Sequence, residues 1–61
     1  MNTTDLIVLN YNNGSVDFYN FDFEMNNDEI ENFLFQKKNY KESEISWMFA
    51  PKISFKNYKI Y

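Results

Sequence analysis

Residues 9–21 read LNYNNGSVDFYNF, and this stretch decides the fold. Its centre, Asn12-Asn13-Gly14, consists of residues that tolerate a positive φ, which a tight hairpin turn requires. Gly14 is the only glycine in the chain. Because strand-forming residues lie on both sides of this turn, we predict a β-hairpin. Its first strand covers residues 5–11 and its return strand covers residues 15–23.

The hairpin alone does not fix which face of the sheet is buried. The first strand is a continuous apolar run, so it can bury either Ile7 and Leu9 or, in the opposite phase, Leu6 and Val8. We expect the first phase. The return strand carries apolar side chains on both faces. A β-bulge near residues 18–20 would turn both groups partly inward, whereas without a bulge one of these faces is exposed.

A helix is predicted after the hairpin. It opens with NNDE, where asparagine can cap the free N–H groups and the acids suit the helix dipole. Ile30, Phe33 and Leu34 then form an apolar stripe at helical spacing. Phe35 points away from that stripe, so it is either covered by a loop or exposed. The lysines that follow predict that the helix ends near Asn39.

Residues 44–49, EISWMF, predict a third strand, which Pro51 ends. Residues 52–55 and 57–61 alternate again and predict a fourth strand or a continuation of the third. The order β-β-α-β gives an α+β fold, in which an antiparallel sheet of three or four strands packs one helix on one face. A single domain over residues 1–61 is expected. The predicted core comprises Ile7, Leu9, Val16, Phe18, Ile30, Phe33, Leu34, Trp47 and Ile53.

The composition limits how this chain can be stabilised. A domain of 61 residues buries only about 60% of its unfolded surface. Without cysteine or histidine, it lacks disulfides, thiolate metal sites and imidazole ligands. It has thirteen aromatic side chains instead, which is more than so small a core can hold. No secretory leader or membrane-spanning run is recognisable, so we expect a cytoplasmic protein without membrane contact.

Charge is divided unevenly along the chain. Residues 1–36 carry seven acids and no lysine, whereas residues 37–61 carry six lysines and two acids, for a net charge of −3. Such asymmetry can mark an interaction tail. It can equally let the two halves attract each other in the folded chain, which is the interpretation that we favour.

Catalytic chemistry is poorly supported by the residue types present. Without histidine or cysteine there is no Ser-His or Cys-His pair, and a Ser-Lys dyad needs a buried lysine in a formed pocket. The acidic run from Asp22 alternates like a calcium loop. It has Asn27 where such a loop needs glycine and Phe33 where it needs a bidentate glutamate. We therefore predict no enzyme activity, no catalytic residue, no metal and no cofactor.

The order of a strand, a glycine turn, an aromatic strand, an acidic helix start and ISWMF resembles a group of very small uncharacterised proteins. These are encoded by gut Bacteroidetes and their mobile elements. The segment after Pro51 is longer than that group leads us to expect. Because the group has no known activity, the resemblance implies only a fold and a mobile-element setting. Separately, the many asparagines and lysines and the absence of arginine suggest an A/T-rich genome, such as that of a phage, a plasmid or a low-GC bacterium. The resemblance rests on Gly14, Val16, Tyr19, Asp22, Trp47 and Met48.

The surplus of aromatic residues predicts a protein-interaction module. One short helix covers only one face of a small sheet, so aromatic side chains elsewhere stay partly exposed, and such patches are usually binding surfaces. The partner is an unidentified protein or a second copy of the chain. We predict that the partner-binding residues are Tyr19, Phe21, Phe35 and Tyr58.

The alternative function is related to nucleic acids. Lysines interleave with aromatic residues near the C-terminus, a pattern that suits single-stranded nucleic acid, since aromatics stack on bases and lysines neutralise phosphates. The residues concerned are Lys52, Phe55, Lys56, Tyr58, Lys59 and Tyr61. Alternatively, the acidic half imitates the phosphates of a nucleic acid, and that role would need Asp17, Asp22 and Glu24.

Overall fold

The structure, a computed structural model, describes residues 2–56. Three strands, β1 (Thr4–Asn10), β2 (Ser15–Phe21) and β3 (Ile45–Ala50), form an antiparallel sheet in the order β2-β1-β3. Since β2 and β3 are both antiparallel to the central β1, they run parallel to each other. The connection between them therefore crosses the sheet, and its helix covers one face. The prediction of an α+β fold with a small antiparallel sheet and one helix is confirmed.

The hairpin between β1 and β2 closes around the side chain of Asn10. Its Oδ1 accepts hydrogen bonds from the backbone N–H groups of Asn12 and Asn13, at 3.0 and 3.1 Å. Its backbone oxygen accepts from the N–H of Gly14 at 2.9 Å. Gly14 has φ +68°, a conformation that suits glycine and few other residues. The predicted turn is confirmed, and it spans the four residues 11–14.

Thr4 fixes the turn that leads from β2 to the helix. Its buried hydroxyl donates to the carbonyl oxygen of Phe23 at 3.0 Å and accepts from the N–H of Met25 at 2.8 Å. These two bonds hold the chain against the start of β1. They also let Met25 enter the core and place Asn26 at the start of the helix.

Helix α1 (Asn27–Asn32) begins with a capping box. Asn26 Oδ1 accepts from the N–H of Glu29 at 2.9 Å, and Glu29 Oε1 accepts from the N–H of Asn26 at 3.0 Å. The helix continues as a π-helical turn (Phe33–Lys37), slightly short of the predicted end. The chain then reverses at Asn39, which has φ 58°.

The buried core lies between the helix and one face of the sheet. Ile30 and Leu34 are fully buried, as predicted, and Phe33 and Trp47 pack at the core's margin. The predicted phase of β1 was wrong, because Leu6 and Val8 face the helix. A strand has a period of two residues, so this phase turns four predicted core residues to the other face. The fully or mostly buried apolar residues are Leu6, Val8, Met25, Ile30, Leu34 and Ile45.

The four residues that were wrongly assigned to the core are Ile7, Leu9, Val16 and Phe18. The pairing of β1 with β2 is uninterrupted from Thr4–Phe21 to Asn10–Ser15, so no β-bulge turns these side chains inward. Ile53 is half-buried but lies outside the core cluster.

A short 3-10 turn (Glu42–Glu44) precedes β3. Within residues 2–56, no strand follows β3. The part of the predicted fourth strand at residues 57–61 lies outside the described residues. In the described part of the chain, no helix has the length and apolar character needed to cross a membrane.

Candidate functional site

The sheet face that the helix leaves uncovered is lined by apolar side chains. In one row, Ile7 of β1 lies between Phe18 of β2 and Met48 of β3. In the next row, Leu9 lies beside Val16. We call this surface the open face and define it by these five residues, Ile7, Leu9, Val16, Phe18 and Met48.

Four of the five side chains of the open face are well exposed, and Ile7 between them is half-buried. The exposed fraction is 62% for Val16, 53% for Met48, 47% for Phe18 and 39% for Leu9. Scattered exposed apolar residues are normal on proteins, but these four are neighbours in two adjacent rows of one sheet. They form a contiguous patch of the kind that usually serves as a binding surface.

Asp5 closes one end of the open face and is only 7% exposed. Its Oδ2 accepts from the backbone N–H of Ile53 at 2.9 Å, and its Oδ1 accepts from the amide of Asn20 at 2.6 Å. The Ile53 N–H and then the Asn20 amide lower the pKa of Asp5 below 3.8, and the Lys52 charge adds to this effect. Desolvation of the carboxylate raises its pKa, but by less than these interactions lower it. The carboxylate is therefore ionised and bonded within the chain.

The segment at residues 51–56 leaves β3 and crosses one corner of the open face. After the Ile53–Asp5 bond, the ring of Phe55 reaches the ring of Phe18, with 6.1 Å between centroids and a 50° tilt. Phe55 nevertheless remains 73% exposed. It therefore extends the apolar surface and leaves most of it uncovered.

The side of the sheet that faces away from the helix is mainly apolar. Of its nine strand residues, six are apolar and only Asp5 is charged, and that carboxylate is bonded as described. Such a surface can bury apolar area against a partner. The nine residues are Asp5, Ile7, Leu9, Val16, Phe18, Asn20, Ser46, Met48 and Ala50.

Three of the four predicted partner-binding residues lie in the described part of the chain, and all three are partly buried against the core. Tyr19 and Phe21 lie on the helix-covered face, where their rings meet the ring of Phe33 edge-on at 5.1 and 5.0 Å. Phe35 is half-buried against Trp47, with 5.5 Å between ring centroids. The expectation that Tyr19 and Phe21 lie opposite the helix was wrong, for the same reason of strand phase. The fourth predicted residue, Tyr58, lies outside the described residues.

A hydrogen-bonded network that the sequence did not predict joins β2 to the segment after the helix. The Tyr40 hydroxyl donates to Asp17 Oδ2 at 2.6 Å and lies 2.7 Å from the Tyr19 hydroxyl. Desolvation, followed by the bonds to Asp17 and Tyr19, raises the pKa of Tyr40 far above its ordinary value. Lys38 Nζ lies 5.6 Å from the centroid of the Tyr19 ring. This partly buried network connects β2 to the segment that follows the helix.

A groove of about 570 Å³ runs between the helix and the turn that follows β2. Its floor is apolar and includes Phe21, Phe23 and Phe33, while Asp28 and Glu29 lie at its rim. Glu29 is already used in the capping box. Among residues 2–56, no three acidic side chains gather into a group that could hold a metal ion.

The open face corresponds to the phase of β1 that the sequence-based prediction did not favour. The alternative phase of β1, with Leu6 and Val8 buried, places Ile7 and Leu9 on the uncovered side. That phase also places Met48 on the uncovered side, because Met48 pairs with Ile7 between β1 and β3.

Comparison with protein-family models, with curated proteins and with solved structures finds no match. The resemblance to small proteins of gut Bacteroidetes therefore stays a prediction.

Proposed function

We propose that this chain is a small non-enzymatic interaction module that binds a protein partner with its open face. The single observation that supports the proposal is the contiguous exposure of Val16, Phe18 and Met48 on the side opposite the helix. In a chain with a net charge of −3, nine strand positions carry one charge, and that charge is bonded internally. We propose an accessory or regulatory role on a phage or plasmid, an origin that the arginine-free, asparagine-rich composition suggests.

The size of the apolar surface also supports a binding role. A buried aromatic side chain removes roughly 150–250 Å² from water. At the observed exposures, Phe18 and Phe55 together with Val16, Leu9 and Met48 present an area on the order of 500 Å². Monomeric proteins seldom leave a patch beyond a few hundred Å² unless it is used. Its burial would therefore favour association through the hydrophobic effect.

Nucleic-acid binding is the second candidate function, and one observation favours it. Phe55 is 73% exposed, and the neighbouring Lys52 and Lys56 are also exposed. This arrangement suits one stacked base with two neutralised phosphates. Acidic mimicry of nucleic acid has weaker support, since Asp17 is bonded to Tyr40 on the helix-covered face. Of the three acids that it would need, Asp22 and Glu24 are exposed.

A photo-crosslinking phenylalanine analogue provides the test of the proposed function. In one version of the full chain the analogue replaces Phe18, and in a matched control it replaces Phe23. The two side chains are equally exposed, at 47% and 49%, but Phe23 lines the groove on the helix side. After irradiation in the native cells, we expect a crosslinked protein product from position 18 and none, or a different one, from position 23.

The salt dependence of the captured complex separates the candidate functions. Burial of an apolar surface is retained as salt increases, whereas phosphate contacts weaken steeply. A product from position 18 that forms equally at low and high salt supports the proposal. Absence of any product from position 18, together with salt-sensitive binding of a single-stranded oligonucleotide that Phe55→Ala abolishes, would establish the nucleic-acid role instead.

A further inference from the structure

We infer that the partner of the open face is a second copy of this chain, packed face to face about a twofold axis. This inference rests on the proposed function and names its partner. The result is a sandwich of two three-stranded sheets with a helix on each outer side. Sheets that pack in this way lie about 10 Å apart.

The distribution of charge favours a second copy. A twofold interface uses the same surface of both copies, so each charge on that surface is buried twice and needs a partner of opposite charge elsewhere on the same surface. The only charge among the strand residues on this side is the Asp5 carboxylate, which lies at one end of the open face, is only 7% exposed and accepts hydrogen bonds from Asn20 and the Ile53 N–H. The groove on the helix side, in contrast, is lined by three charged residues, Asp28, Glu29 and Lys37. Of these two surfaces, the open face is therefore the less charged and loses less hydration when it is buried against its own copy.

The area also meets the requirement of a dimer. The open face together with the adjoining Phe55 exposes an area on the order of 500 Å² per chain, and complete burial of this area on both partners gives roughly 1,000 Å² in total. A specific interface needs about that much, and weaker, transient interfaces lie at this lower end. We therefore expect a dimer whose population depends on concentration.

The thinness of the chain gives a physical reason to dimerise. The described fold measures only 13 Å along its shortest axis, which corresponds to one sheet and one helix layer. A domain of this size is marginally stable, and without cysteine or histidine it has no disulfide or imidazole metal site to support it. A second sheet would convert the open face into a second core. The segment at residues 51–56 does not do so, since it leaves Val16 62% exposed.

Sedimentation of the purified full-length chain tests this inference. Over concentrations from about 1 µM to about 1 mM, we expect the mass to rise to twice the 7.5 kDa of one chain. The double substitution Phe18→Thr with Met48→Thr removes apolar area at two exposed positions and should abolish the dimer over that range. The control Phe23→Thr, at equal exposure on the other side, should dimerise like the wild type. Circular dichroism verifies that each variant is folded.

A crosslink between copies keeps the test decisive even if the double variant fails to fold. Isotope-labelled and unlabelled chains, both with the photo-crosslinking analogue at position 18, are mixed and irradiated. Crosslinked peptides that join a labelled to an unlabelled chain through open-face residues support the inference. A monomer at every concentration, a dimer that the double substitution leaves intact, or crosslinks only within one chain would overturn it. If the pure chain is monomeric while position 18 still captures another protein in cells, the proposed function survives and the second copy is excluded.

Discussion

Tyr40 donates a hydrogen bond of 2.6 Å to Asp17, and this bond joins the segment after the helix to the edge strand β2. Asp17 lies midway along β2 on the helix-covered side and is half-buried there, so a carboxylate without a partner would be costly. Because the Tyr40 hydroxyl satisfies this carboxylate, β2 can turn Asp17 toward the helix together with Tyr19 and Phe21. Since the open face is the opposite side of the same strand, this internal contact also positions the candidate binding surface.

We expect Tyr40→Phe to lower the free energy of unfolding by about 1–2 kcal/mol, because it removes a hydrogen bond to a charged acceptor in a partly buried site. The matched control is Tyr11→Phe, which removes a hydroxyl bonded to Ser46 on a side chain that is 65% exposed. That control should change the free energy of unfolding by no more than about 0.5 kcal/mol. Urea denaturation followed by tryptophan fluorescence measures both. Equal decreases in the free energy of unfolding would show that the Tyr40–Asp17 bond stabilises the fold no more than the exposed Tyr11–Ser46 bond does.

The raised pKa of Tyr40 predicts a loss of stability in alkaline solution. The folded chain holds this proton more tightly than the unfolded chain, in which the pKa is 10.0. Its contribution is therefore complete below pH 10.0 and decreases as the pH rises above that value. Between about pH 9 and about pH 11, the denaturation midpoint of the wild type should fall more than that of Tyr40→Phe. Parallel curves for the two proteins would contradict this assignment.

The positive φ of Gly14 predicts a difference between two substitutions at one site. A side chain there would meet no atom within 4 Å, so any cost comes from the backbone alone. Gly14→Val should destabilise the fold by about 1–2 kcal/mol, whereas Gly14→Asn should cost clearly less, because asparagine tolerates this conformation. Thermal melts of the two variants provide the comparison. If both were equally destabilised, the left-handed turn would not be the cause.

Asp5 predicts a loss of stability in acid. Its pKa is lower in the folded chain than the ordinary 3.8, so its stabilising effect is present above that value and lost as the pH falls below it. Between about pH 4 and about pH 2, the urea midpoint of the wild type should therefore fall more than that of Asp5→Asn. Asp22→Asn, at an exposed position, serves as the control and should follow the wild type. An acid response in Asp5→Asn as steep as that of the wild type would count against the role of this carboxylate.

The parts of the fold that local chemistry determines were predictable from the sequence. Gly14 marked the turn, the asparagine and acidic residues marked the helix start, and the spacing of Ile30 and Leu34 marked the buried side of the helix. Each of these signals acts over a few residues. The class of the fold and the order of its elements followed from them.

The choice of the buried sheet face was not predictable, because it depends on contacts that are distant in the chain. The apolar run in β1 suits either phase, and β2 offers either Phe18 with Val16 or Tyr19 with Phe21. Asp17 lies on the same face as Tyr19 and Phe21, and a carboxylate disfavours burial of that face. The hydrogen bond that satisfies this carboxylate comes from Tyr40, 23 residues later in the chain. The candidate site shifted with this choice, since the wrong phase assigns the open-face residues to the core.

The same substitution at two valines tests the phase of the sheet directly. Val8 and Val16 belong to neighbouring strands, but Val8 is fully buried under the helix and Val16 is 62% exposed on the open face. Val8→Thr places a hydroxyl in the core without a hydrogen-bond partner and should lower the free energy of unfolding by about 1–3 kcal/mol. Val16→Thr should stay within about 0.5 kcal/mol when measured on the dilute monomer, because threonine suits an exposed strand position as well as valine does. Urea denaturation of both variants at low protein concentration gives the two values. The reverse order, with Val16→Thr the more damaging change, would restore the opposite phase and remove the open face as a binding surface.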